Sequence, residues 1–193
     1  MSTPTAVLGA GSFGTSLAVL ASRAHDVKLW SRREDVATAI NQGRRNPRYL
    51  TDIDLPPGIE ATADLRESLV GRKLVIVAVP SQSLRSVMQA AGPFLEPGAI
   101  VVSAVKGIEF ESGLTMHGVL AEVLDPVHHP RLVALSGPSF ASEIARRRPT
   151  MVTLACYEVP WTQLVSCPVK ATFKFCWPCT PVLGARDRIA AAP

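Results

Sequence analysis

The chain has 193 residues, 47% of them hydrophobic and 19% charged, and 20 Lys and Arg against 16 Asp and Glu give a net charge of +4. That length and apolar fraction suit one well-buried α/β domain and exclude a disordered or collagen-like chain. No apolar run approaches the ~18 residues of a membrane span, and the first apolar segment is broken by Gly9, Gly11 and Gly14, unlike a secretory leader. A cytoplasmic location is therefore expected. The arginine clusters at Arg32-Arg33, Arg44-Arg45 and Arg146-Arg147-Arg148 lie among acidic residues without interleaved aromatics. Most are read as solvated surface, and nucleic acid is not an expected partner.

Thr5 to Leu8 reads as a short buried strand, followed at once by Gly9-Ala10-Gly11-Ser12-Phe13-Gly14 and a helix from Ser12 to Arg23. The three glycines have the G-x-G-x-x-G spacing of a dinucleotide cradle. The first permits a tight turn, the second lets backbone approach the pyrophosphate, and the third lets helix pack on strand. Helix N-terminal amides then meet the negative charge. Val27 to Trp30 is the second strand, and Ser31-Arg32-Arg33 follows it in the slot that reads the adenosine ribose. An acidic residue there accepts from a 2′-hydroxyl, whereas a guanidinium fork suits a 2′-phosphate. NADP, or dual use of NADP and NAD, is the expectation. Two alternatives stay open: Arg32 and Arg33 could simply start an exposed helix, and Glu34 or Asp35 could still approach the ribose. A helix is expected from Arg33 to Gln42, then loops at Asn46-Pro47 and Pro56-Pro57-Gly58.

Leu74 to Val79 is a buried strand stopped by Pro80, with a helix from Ser83 to Ala91 and a strand from Ala99 to Ser103 beyond it. Lys106, next to Gly107 at that strand's carboxyl end, can offer a point charge to an anion in the crevice. A helix is expected from Gly113 to Leu124. His128-His129, beside Pro130, is read as a surface loop rather than a metal site, and no metal is expected. After a strand from Leu132 to Leu135, Ser136-Gly137-Pro138-Ser139 precedes a helix from Phe140 to Ala145. Those residues could present amides and a hydroxyl to an anion, or could simply cap the helix. Strands alternating with helices predict right-handed βαβ units and a doubly wound, mostly parallel sheet of Rossmann type over residues 1–155.

The composition changes beyond that point. All four cysteines, Cys156, Cys167, Cys176 and Cys179, and two of the three tryptophans fall there among repeated prolines. Residues 156–193 are read as an atypical Cys/Pro-rich tail that does not continue the fold, disordered or produced by a shifted reading frame. A small zinc ribbon or a redox pair at Cys176-Trp177-Pro178-Cys179 is the alternative. Cys156 and Cys167 do not make a second zinc knuckle, and no helix start is at hand to lower a thiol pKa.

Taken in order, the glycine loop, Val79-Pro80-Ser81, Val105-Lys106-Gly107-Ile108-Glu109 and Ser136-Gly137-Pro138-Ser139-Phe140-Ala141-Ser142-Glu143 resemble the bacterial NAD(P)-dependent glycerol-3-phosphate dehydrogenase family. The resemblance runs from about residue 4 to Ala155. It implies that Ser12 and Phe13 line the cofactor pyrophosphate, that Arg32 and Arg33 meet the adenosine end, and that Tyr49 and Ala141 are further cofactor contacts. Lys106 would be shared between cofactor and substrate, with Gly137 and Ser139 as substrate contacts. The implied reaction interconverts sn-glycerol 3-phosphate and dihydroxyacetone phosphate, in glycerophospholipid precursor supply. In the family the proton-accepting Lys comes from a second, helical domain within a Lys-Asn motif. Neither Lys170 nor Lys174 precedes Asn, so no catalytic residue is assigned and the helical domain is expected to be absent. The alternative function is an inactive, truncated NAD(P)-binding module. Loss of the helical partner would expose apolar surface and favour self-association into a homo-oligomer.

Overall fold

The apolar runs become strands β1 (Thr5–Leu8), β2 (Val27–Trp30), β3 (Ile59–Thr62), β4 (Leu74–Val77), β5 (Ile100–Ser103), β6 (Leu132–Ser136), β7 (Thr150–Cys156) and β8 (Phe173–Phe175). The structure is a computed structural model that describes residues 2–156 and the backbone of Phe173–Phe175. One sheet holds all eight strands in the order β3-β2-β1-β4-β5-β6-β7-β8. The first six pair in parallel, β7 is antiparallel to β6, and β8 is parallel to β7. Helices α1 (Ser12–Ala21), α2 (Glu34–Gly43), α3 (Leu65–Leu69), α4 (Leu84–Ala91), α5 (Met116–Val123) and α6 (Ala141–Ala145) supply the crossovers and cover both faces.

Adjacent residues of one strand serve opposite faces. Val7 packs with Leu17, Ile40, Val133 and Ile144 on the side of α1, α2 and α6, whereas Ala6 and Leu8 pack with Leu84, Met88 and Leu120 on the side of α4 and α5. A strand covered on both sides is apolar at nearly every position, hence the runs Ala6–Leu8 in β1 and Leu74–Val77 in β4. Each fully buried Leu or Val side chain contributes about 1.5–3 kcal/mol. The register pairs Leu8 with both Trp30 and Val77, Val77 with Ser103, and Ser103 with Ala134. The carboxyl ends of the parallel strands therefore line up along one edge, where the connecting loops form a crevice.

The expected doubly wound architecture is present, with four further elements not expected from the sequence: β3, α3, β7 and β8. Helix α1 ends at Ala21 rather than Arg23, and α5 begins at Met116, where the Thr115 hydroxyl accepts from the Gly118 amide. Strand β7 ends at Cys156, and the Phe173–Phe175 backbone pairs with it in parallel. The side-chain expectations at Cys167, Lys170, Lys174, Cys176 and Cys179 lie outside the described residues. His128 is also a correction: it sits in a 3-10 turn and is buried, not in a surface loop. Its burial pushes the imidazole pKa below the usual value. Arg44, grouped with the solvated arginines, is instead half-buried at the left-handed C-cap of α2. Its guanidinium donates to the carbonyls of Ile59, at 2.9 Å, and Pro56.

The outer strand β3 is closed by side chains. The Asn41 amide of α2 donates to the Ala61 carbonyl and accepts from the Ala61 amide, both at 2.8 Å, so it takes the place of a neighbouring strand.

Candidate functional site

The site is built at the carboxyl edge of the sheet, beginning with the turn from β1 to α1. Gly9 has φ +113, and a Cβ there would lie 2.6 Å from the Ala78 carbonyl oxygen. A Cβ on Gly14 would lie 1.8 Å from the Gly9 carbonyl oxygen, so helix and turn touch only because both side chains are hydrogen. Gly11 is different: a Cβ there meets nothing within 4 Å. Gly11 is the N-cap of α1, with no side-chain cap and no acidic residue in the first turn. The first-turn amides of Ser12 and Phe13 have no acceptor within the helix, and the helix dipole adds partial positive charge beside them. Open space over a bare backbone, next to free amides and unopposed by a carboxylate, fits a diphosphate.

Asn46 secures this turn. Its side chain is fully buried, and its Nδ2 donates to the Ala10 carbonyl and the Thr15 hydroxyl at 2.9 Å each. Its Oδ1 accepts from the amides of Arg48 and Tyr49 at 3.0 and 3.1 Å. Both donors and both acceptor positions are thus used. Tyr49, expected as a cofactor contact, is 45% exposed and tied to the glycine loop through this one amide. The loop that carries Asn46 and Tyr49 is held at its far side by an ion pair between Asp52 and Arg146.

At the end of β2, the Ser31 hydroxyl accepts from the Arg33 amide at 3.2 Å, and Arg33 occupies the N-cap position of α2. Its guanidinium grips Asp35 with two bonds, Nε to Oδ1 at 3.0 Å and Nη2 to Oδ2 at 2.9 Å. That grip holds the Asp35 carboxyl below its usual pKa. Arg48 approaches the same carboxylate at 3.9 Å. Arg32 is exposed and forms no ion pair among the described residues.

The third part of the edge follows β5 and β6. Lys106 Nζ donates to the Gly137 carbonyl at 3.0 Å and stands 5.7 Å from the centre of the Phe13 ring. Gly137 has φ +141, and a Cβ on it would lie 2.7 Å from the Met151 carbonyl oxygen, so β7 crowds it into glycine. Ser139 donates its amide to the Gly137 carbonyl at 3.0 Å. The capping alternative for Ser139 does not hold, because the N-cap of α6 is Phe140, with no side-chain bond, and Ala141 opens the helix. Lys106, Gly137, Ser139 and Phe13 thus gather at one place, while Arg32, Arg33 and Tyr49 gather beyond the other end of the glycine loop.

A carboxylate that the sequence reading left without a role braces the Lys106 loop. Glu109 is buried and accepts from Arg85 Nε at 2.9 Å and Nη2 at 2.8 Å, and also from the Ser112 hydroxyl. Arg85, then Ser112, hold its carboxyl below the usual range. Gln82 adds a bond to the Ile108 carbonyl at 2.9 Å and accepts from the Phe110 amide at 3.1 Å. Among the described residues, no group of three or more His, Cys, Asp or Glu could hold a metal, and no helix is long and apolar enough to cross a membrane.

The family model described as "NAD-dependent glycerol-3-phosphate dehydrogenase N-terminus" matches residues 4–161. The chain belongs to this family. Among its relatives, the glycerol-3-phosphate dehydrogenase [NAD(P)+] of Corynebacterium urealyticum is 40% identical over 181 residues, covering 93% of this chain and 54% of that protein. The enzyme of the same name from Myxococcus xanthus is 47% identical over 152 residues, covering 78% and 45%. The crystal structure of glycerol-3-phosphate dehydrogenase from Coxiella burnetii superposes with a TM-score of 0.77 at 30% identity, covering 90% of this chain and 53% of that one. The chain therefore spans about half the length of the curated relatives it matches. The family's N-terminal part is the stretch that corresponds.

Proposed function

We propose that the chain is the dinucleotide-binding half of an sn-glycerol-3-phosphate dehydrogenase, which takes NADP or NAD and interconverts glycerol 3-phosphate and dihydroxyacetone phosphate when complete. In this reading the amides of Ser12 and Phe13 hold the pyrophosphate above Gly11. Arg32, Arg33 and Tyr49 meet the adenosine end, and Ala141 borders the cofactor at the start of α6. Lys106, Gly137 and Ser139 hold the phosphate-bearing substrate. Held by these residues, a nicotinamide cofactor would supply hydride chemistry at the substrate's central carbon. Lys106 contributes a charge that attracts and orients an anion. The observation that carries the reading is the Lys106 Nζ bond to Gly137 at 3.0 Å with Phe13 beneath the amine, because it joins the glycine loop to the substrate motif. A cytoplasmic location belongs to the same reading.

A second reading has a specific observation in its favour. In it the chain binds the cofactor without turnover, as a dinucleotide-binding module; the stretch it shares with its relatives is about half of their length. Purified full chain titrated with NADPH, then supplied with dihydroxyacetone phosphate, separates the two. Saturable cofactor fluorescence is expected in either case. Oxidation of NADPH that disappears in Lys106→Ala supports the complete enzyme, binding without oxidation supports the module, and no binding at all refutes both.

A further inference from the structure

The adenosine end contains a charge arrangement that a count of arginines misjudges. Arg32, Arg33, Glu34 and Asp35 follow one another after β2, and Arg48, from the loop beyond α2, approaches Asp35. Asp35 lies in the first turn of α2, directly after the ribose slot at the end of β2. Both of its oxygens are engaged by Arg33, through the Nε and Nη2 edge that a guanidinium would turn toward a phosphate. Arg48 leans on the same carboxylate at 3.9 Å. Arg32 alone of the three arginines is without an ion pair among the described residues.

Resting on the dinucleotide reading above, we propose that Asp35 sets the balance between phosphorylated and unphosphorylated cofactor by occupying the Arg33 fork. The two cofactors differ only at the adenosine 2′ position, where one carries a phosphate of about −1.5 to −2 charge and the other a neutral hydroxyl. A carboxylate beside that position repels the phosphate and competes with it for Arg33, while a hydroxyl is indifferent to the first effect and does not need the second. Asp35 therefore lowers the preference for NADP that the arginines create, and Arg32 is the guanidinium left to express it. The three residues are surface-exposed, so the effect is a balance of screened charges and not a locked gate.

The test is the ratio of NADPH to NADH affinity in the full chain and in Asp35→Asn, measured by cofactor fluorescence at low salt and at about 0.5 M salt. Asparagine keeps the shape and one acceptor and removes the charge. The expected result is a rise of about tenfold in the ratio at low salt, from relief of one repulsion and release of one fork, shrinking at high salt. Displacement by 2′,5′-ADP against 5′-AMP reads the same shift at the adenosine end alone. Arg33→Gln tests the mechanism: in the parent it unmasks the Asp35 charge and is expected to lower the ratio, and in the Asp35→Asn background it is expected to cancel the rise, whereas Arg32→Gln lowers the ratio in both. A ratio that is unchanged or falls in Asp35→Asn while NADH still binds overturns the proposal. Failure of the parent to bind either cofactor overturns the dinucleotide reading, and this inference with it. Thermal melts of each variant show whether a loss common to both cofactors comes from folding, which leaves the ratio unmoved and counts against the proposal.

Discussion

Substituting alanine at Gly11 and at Gly14 should produce opposite phenotypes, although the two glycines are three residues apart in one motif. At Gly14 the new methyl would lie 1.8 Å from the Gly9 carbonyl oxygen and 3.3 Å from the Ala78 Cβ. An ordinary carbon-to-oxygen contact is above 3 Å, so β1 and α1 must separate by more than 1 Å, a rearrangement of backbone and not of a side chain. Overpacking of this kind costs about 2–4 kcal/mol, toward and beyond the upper end of the usual range because no rotamer can relieve it. For a chain of this size that lowers Tm by about 5–15 °C. At Gly11 the backbone has φ −74, which alanine adopts without strain, and the methyl meets nothing. Stability should stay within about 1 kcal/mol of the parent. The methyl nevertheless stands where the diphosphate would approach the Ser12 and Phe13 amides. Loss of one or two charge-assisted bonds, at about 1.5–3 kcal/mol each, weakens NADPH binding by about 10- to 10,000-fold. Differential scanning fluorimetry and a fluorescence titration measure the two quantities separately. The reasoning is refuted if Gly11→Ala binds NADPH as tightly as the parent, or if its Tm falls as far as that of Gly14→Ala.

Asn46→Ala leaves the buried Ala10 carbonyl and the Arg48 and Tyr49 amides without their partner, and should cost about 2–4 kcal/mol in a denaturant melt. Asn46→Asp retains the acceptor half but sets a negative charge against the Ala10 carbonyl. Its NADPH affinity should therefore fall further than its stability, and equal affinity to the parent would contradict the bracing role given to Asn46. Acid should destabilise the fold. His25, His117 and His128 are all held below the ordinary imidazole value of 6.5, chiefly by burial. The unfolded chain then takes up protons first, so stability is full above about pH 7 and declines as pH falls from about 6.5 toward the folded pKa values. Tm measured from pH 8 to pH 5 should be flat at first and then fall, and a Tm that rises on acidification would show that these imidazoles are not buried and neutral.

What was legible in the sequence is what has strong periodicity or a steric demand. Gly9 and Gly14 are readable because backbone contact leaves no other residue possible, and β1 and β4 because two covered faces force continuous apolar runs. β3 was missed for the opposite reason: an edge strand of four residues with Glu60 in it and two prolines just before carries no such pattern. α3 spans five residues, yet Asp64 accepts from the Glu67 amide, a capping signature that was present and unread. β7 shows period-two burial over Thr150–Cys156, but its first two residues invert the polarity, with Thr150 buried and Met151 exposed. The site's named contacts could be placed in order from motifs. The residues that hold them still could not, because Asn46 and Glu109 act across 31 to 36 and 24 residues of separation and have no local signal beyond a turn-forming Asn and one carboxylate among many.

The Asn41 amide has a consequence for how copies of this chain can meet. An open sheet ordinarily recruits another strand wherever a row of amides and carbonyls faces outward. On β3 those groups are already committed, at Ala61 to Asn41 and at Ile59 to Arg44. Growth of the sheet from that side would first require α2 to release two side chains that it holds against the strand. Self-association, where it occurs, is therefore directed away from this border and toward surfaces that carry side chains instead of bare backbone.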